Sequence, residues 1–110
     1  MRIDMKTNET LKGKILVDVW GYSMTIVDFY EVVSETPATV VVEEIGSRVV
    51  STDAYLSGTA VADQSKRTGK TYRARKPKAD RKYFVSSLMH MSVHYLELWD
   101  GQPKYFNHCD

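Results

Sequence analysis

Between Gly13 and Thr52 the chain runs through short stretches of β-branched and aromatic residues, each stopped by turn-forming residues. This pattern restricts the fold more than any other feature, because a period of two fits a pleated strand and not a helix. Ile15, Val17 and Val19 alternate with Leu16, Asp18 and Trp20. After Gly21–Thr25, a turn or loop, residues 26–34 form a second run, with Val27, Phe29, Glu31 and Val33 on one face and Asp28, Tyr30 and Val32 on the other. Glu35-Thr36-Pro37 breaks it. Residues 38–45 make the next strand, and Gly46-Ser47 reads as a tight turn into 48–52, a hairpin.

The rest is less regular. Residues 53–65 carry a weaker pattern, with a bend at Gly58 and a short strand in Thr59–Ala62. Lys70, Tyr72 and Ala74 alternate with Thr71, Arg73 and Arg75, so a strand there displays two arginines on one face until Pro77 ends it. Residues 83–99 are ambiguous: Ser87 suits the cap of a helix from Leu88, with Leu88, Met91, Tyr95 and Trp99 near helical spacing, yet Tyr83, Val85, Tyr95, Glu97 and Trp99 suit strands, and strand, short irregular piece, strand is the favoured reading. Asp100-Gly101 is a turn before a final strand around Lys104–His108. Five to seven short strands in 110 residues predict one mainly β domain. It would be a twisted sheet or SH3-like barrel with at most one short helix. A polar segment 1–12, loosely packed, would precede a folded unit of 13–110.

Charge is distributed unevenly. Nine of the 15 basic residues lie in the stretch 66–82: Lys66, Arg67, Lys70, Arg73, Arg75, Lys76, Lys78, Arg81 and Lys82. Asp80 is the only acid among them, a balance of +8, whereas the other 93 residues carry a balance of −7. A cationic segment of this density seeks phosphate, acidic protein or anionic lipid. Arginine suits bidentate phosphate contact, and Tyr72 lies within the segment as a stacking or packing neighbour. The competing reading is a solvated basic loop, or one paired with the protein's own carboxylates.

Other chemistry finds little support. Apolar residues make up 43% of the chain, enough for one modest core. No apolar run is long enough to span a bilayer, the first 14 residues lack the apolar centre of a secretory signal, and the single Cys109 has no internal partner for a disulfide. A soluble protein in a reducing compartment is expected. Gly69-Lys70-Thr71 looks like the end of a phosphate-binding loop, but Gln64 stands where the motif needs its other glycine. His90 and His94 suit a shared metal only on a helix, and His108-Cys109 would have to fold back to join them. Asp28, Glu31, Glu43 and Glu44 are separate acids that the sequence does not bring together, and Ser23 and Thr25 have no identifiable base. No catalytic residue, metal or cofactor is therefore expected. Trp20, Tyr22, Phe29, Tyr30, Trp99 and Tyr105 are expected mainly in the core, with Trp20 packed on Trp99. The alternative is a ligand or interface loop at Trp20, Tyr22 and Thr25.

Two strings carry a resemblance. Trp20-Gly21-Tyr22-Ser23-Met24-Thr25 precedes Asp28-Phe29-Tyr30-Glu31-Val32-Val33; Ser86-Ser87 and Trp99-Asp100-Gly101-Gln102-Pro103, with Tyr105 after, lie near the C-terminus. In order and spacing this resembles a functionally uncharacterised family of small bacteriophage and mobile-element proteins. That family has W-G-Y-x-x-T, F-Y-x-V, S-S and W-D-G-x-P segments. The positions of Ser23, Met24 and Ile26 depart from the acidic and amide residues often found there. The resemblance implies a phage setting, in the cytoplasm of a bacterial host, and no particular activity.

The function expected from the sequence is a non-catalytic binding module, gripping DNA or RNA phosphate through segment 66–82. Its alternative is a phage effector that binds an acidic host or anti-phage defence protein and inhibits or redirects it. No membrane partner is expected, and an exposed strand edge would allow a homodimer.

Overall fold

The computed structural model describes residues 10–21, 24–54, 56–78, 80–87 and 89–108, without the side chains of Asp53, Ala54 and His90. Seven strands follow one another: β1 (Ile15–Trp20), β2 (Ile26–Glu35), β3 (Thr39–Ala54), β4 (Ser57–Arg75), β5 (Phe84–Ser86), β6 (His94–Leu98) and β7 (Lys104–Asn107). Among the described residues a 3-10 turn, Met89–Met91, separates β5 from β6. All pairings are antiparallel, in the order β3-β2-β1-β6-β5-β4-β7, and β4 also pairs with β3. That last pairing closes six strands into a ring, which removes their edges. The expectation of one mainly β unit holds.

Alternation places the core. Leu16, Tyr30, Val32, Val40, Val42, Ala74, Phe84, Met89 and Leu96 are buried together, so all six ring strands send apolar side chains inward. Leu11 packs against this cluster from outside the strands. Of the segment expected to be loose, residues 1–9 lie outside the described residues. Thr10 and Leu11 are tethered: the Thr10 hydroxyl (2.8 Å) and the Leu11 amide (2.6 Å) donate to Glu35.

The opposite face of β1 and β2 is covered too. Val17, Phe29 and Ile45 form a second cluster with Ile15, Val27, Ala62 and Trp99. Apolar residues on both faces of β2 thus have a partner each, Tyr30 in the ring and Phe29 outside it. β7 supports this second layer by pairing with Ser57–Ala60 of β4, while Asn107 bridges to Thr25.

The expected turn at Gly46-Ser47 does not exist. β3 runs through it without a break, and the hairpin reverses between Ala54 and Ser57. Gly46 serves another purpose: a Cβ there would stand 2.7 Å from Cβ of Lys66, so the absence of a side chain admits the neighbouring strand. The expected weak region 53–65 is likewise the end of β3 and the start of β4. A straight strand of 19 residues would be roughly 60 Å long, more than the 52 Å long axis of the molecule. The β3–β4 ribbon must therefore bend, and its register shows where. Ile45 faces Arg67, yet Gly46 faces Asp63; Glu43 faces Thr71. Extra residues of β4 are thrown out at 64–66 and 68–70, two bulges in succession.

Candidate nucleic-acid interface

The first half of the basic segment, Lys66 to Gly69, is knitted to the protein's own surface. Arg67 meets Glu31 at 2.6 Å and Glu43 at 3.4 Å. Lys66 donates to the carbonyl of Ser47 at 3.0 Å. The Gly69 amide donates to the other Glu43 oxygen at 3.2 Å, and the Thr68 hydroxyl donates to the Glu44 carbonyl at 3.0 Å. Gly69 holds φ +80°, a conformation that disfavours side chains. Upstream, the hydroxyl and amide of Ser65 hold the Asp63 carboxyl below the usual carboxylate range. These contacts stiffen the bulge and occupy Arg67.

The second half opens outward. Tyr72 and Ala74 face the ring interior, so Arg73 and Arg75 between and beside them leave β4 on the outer face. Arg75 stands opposite Thr39 of β3 and Val85 of β5, and Val85 stands opposite Tyr95 of β6. A single row, Thr39–Arg75–Val85–Tyr95, thus crosses four strands. Two shallow grooves flank it. One, of about 510 Å³, is lined by cations Arg75, Lys76, Lys78 and Arg81, by Tyr83 and Tyr95, and also by Asp80. The other, about 460 Å³, is lined by Thr39, Thr71, Tyr72, Arg73, Ser86, Ser87 and Met89, and shares Arg75 and Val85 with the first. The two grooves form one continuous surface with Arg75 in its middle.

Two further cations of the segment have native partners. Lys76 donates to Glu35 at 2.6 Å, although it lines the groove. Lys82 lies 3.3 Å from Glu97, which raises its pKa, and 5.1 Å above the Tyr83 ring. Lys70, Arg73, Arg75, Lys78 and Arg81 form no ion pair among the described residues. The sequence reading thus gathered ten positions that the fold sorts. Arg73, Arg75, Lys78 and Arg81 share the open grooves; Arg67, Lys76 and Lys82 are held by carboxylates; Lys66 is bonded to backbone; Lys70 stands at the bulge. Tyr72 packs edge-on to buried Tyr30 with centroids 6.0 Å apart and also lines the second groove beside Arg73.

Two aromatics complete the surface, Tyr83 just before β5 and Tyr95 in β6. Tyr83 is 43% and Tyr95 58% exposed. Their rings meet edge to face, with centroids 6.3 Å apart. Tyr95 comes to the row because His94 and Leu96 beside it face inward, the ordinary alternation of a strand.

The loop of Trp20, Tyr22 and Thr25 is a separate place. Tyr22 lies outside the described residues. Thr25 is bound through its backbone to Asn107, and the Trp20 indole donates to Asp28 at 2.7 Å. Trp20 does not pack on Trp99: it stands edge-on to His94, whereas Trp99 stands edge-on to Phe29. His94 is buried and bonded through Nδ1 to buried Asp18 at 2.5 Å, a pair that bounds a pocket of about 240 Å³ with Trp20, Ser92 and Tyr95. Sequence reading did not join Asp18 to His94; the sole signal was an acid on the same strand face as Leu16. Among the carboxylates, Asp28 and Asp18 are register partners, and with Glu44 they surround Tyr30, whose hydroxyl pKa is raised mainly by burial. Among the described residues no three His, Cys, Asp or Glu side chains are placed to hold a metal ion. No described helix is long and apolar enough to cross a membrane.

No protein-family model, curated protein or solved structure matches the chain.

Proposed function

We propose that this protein is a non-catalytic module that binds nucleic-acid phosphate on the outer face of β4 and β5. Arg73, Arg75, Lys78 and Arg81 are its phosphate-binding residues. The observation that carries this reading is the shared surface: four cations with no ion pair among the described residues line two grooves that meet at Arg75. Glu31, Glu43, Glu35 and Glu97 are occupied by Arg67, Lys76 and Lys82, which lowers their repulsion of a polyanion. Asp80 lines the same groove as Arg75, Lys78 and Arg81 and opposes binding there.

Arginines at 73 and 75 leave the same strand face two residues apart. Their forks present several N–H donors to adjacent phosphate oxygens, with geometry that lysine lacks. In the phage setting that the W-G-Y and W-D-G-x-P segments imply, the ligand is host or phage DNA or RNA.

The test is fluorescence anisotropy with a labelled oligonucleotide. Arg73→Ala with Arg75→Ala should weaken binding about 10-fold or more at low salt. Unchanged affinity would falsify the assignment. Recovery of a host protein from bacterial lysate that survives nuclease, with no oligonucleotide binding, would instead favour the effector reading.

A further inference from the structure

Resting on that reading, we infer that the ligand is single-stranded and that Tyr95, with Tyr83 beside it, stacks its unpaired bases. Phosphate contact alone does not distinguish a duplex from a single strand. The composition of the groove does.

Tyr95 and Tyr83 line the same groove as Arg75, Lys78 and Arg81. Adjacent strands lie about 4.8 Å apart, so Tyr95 begins about 10 Å from Arg75 across Val85. A cationic track beside exposed aromatic rings is the combination by which single strands are held without sequence preference. In a duplex the base faces are covered by their neighbours, and a side chain on a sheet surface reaches only phosphate, sugar or groove edges. Two tyrosines placed among the arginines would then lie idle.

Ring geometry favours Tyr95 as the platform. In an edge-to-face pair at most one of the four ring faces is covered by the pair itself. Lys82 stands over Tyr83, occupying a face there, while Tyr95 has the larger exposure of 58%.

Anisotropy with one labelled sequence, single-stranded and as its duplex, separates the possibilities, with heparin as a polyanion that has no bases. The expected result is tighter binding of the single strand. Tyr95→Ala should weaken single-strand binding roughly 5- to 100-fold with the salt dependence unchanged, and should leave heparin binding alone. Tyr95→Trp should retain it. Thermal unfolding should confirm that each variant is folded. If the duplex binds as well as the single strand, or Tyr95→Ala has no effect while Arg73→Ala with Arg75→Ala does, stacking is wrong and phosphate binding stands. If neither variant matters, or no nucleic acid binds, both inferences fail.

Discussion

Glu35 joins three parts of the chain at one carboxylate. Lys76 from the end of β4, the amide of Leu11 and the hydroxyl of Thr10 all donate to it, and together they hold its pKa down to about 2 from 4.5. A carboxylate depressed by folding stabilises the native state above its unfolded pKa, and that stabilisation is lost as pH falls through the folded value. Glu35 therefore contributes fully above pH about 4.5 and loses its contribution towards pH about 2. Glu35→Gln should cost about 1–2 kcal/mol at neutral pH, given a partly exposed charged hydrogen-bond set. In urea unfolding, the variant should lose less stability than the parent between pH 7 and pH 2. Equal losses would show that the Glu35 contacts do not stabilise the fold. Lys76 belongs to this clamp, and its side chain is only 21% exposed. Its substitution should thus change stability more than nucleic-acid affinity.

The decisive element is β4, whose bulged stretch holds Lys66 and Arg67 on the protein's own surface before Arg73 and Arg75 face outward. Gly69 at φ +80° and the Arg67 pairs with Glu31 and Glu43 set that stretch. Arg67→Ala should leave the salt dependence of single-stranded oligonucleotide binding unchanged, whereas Arg73→Ala should lower its slope by about 0.7. A fall in slope for Arg67→Ala would place that residue on the ligand instead. The strand character of β4, and the outward Arg73 and Arg75, were legible because alternation is a local pattern. The bulges were not, since what stabilises them lies far away in sequence: Glu43 and Glu44 for Thr68 and Gly69, Ser47 for Lys66. Gly46-Ser47 misled for the same reason. Flanked by β-branched residues it has the composition of a hairpin turn, but it gives room to Lys66, twenty residues on. β5, the 3-10 turn and β6 followed the expected strand–irregular–strand order. The contribution of Tyr95 to the basic face depended on the pairing of Val85 with both Arg75 and Tyr95, and no local rule supplies that.

At the scale of the whole molecule, folding redistributes the charge that the sequence segregates. Part of the +8 segment is neutralised by carboxylates from β2, β3 and β6, and Arg75, Lys78 and Arg81 lie in one groove with two tyrosines. The radius of gyration, 14.8 Å, exceeds the roughly 13 Å of a compact chain of this length, as the long β3–β4 ribbon requires. A second apolar cluster steadies that ribbon against β1 and β2, so the ring and the cationic face share one scaffold. The central claim is that Arg73, Arg75, Lys78 and Arg81 neutralise phosphates. It is tested most directly by the slope of log affinity against log salt for a single-stranded oligonucleotide. Four contacts predict a slope near −3, since each contributes about −0.7, and removing Arg73 and Arg75 together should bring it to about −1.4. A slope near zero, or one that the double substitution leaves in place, contradicts the account.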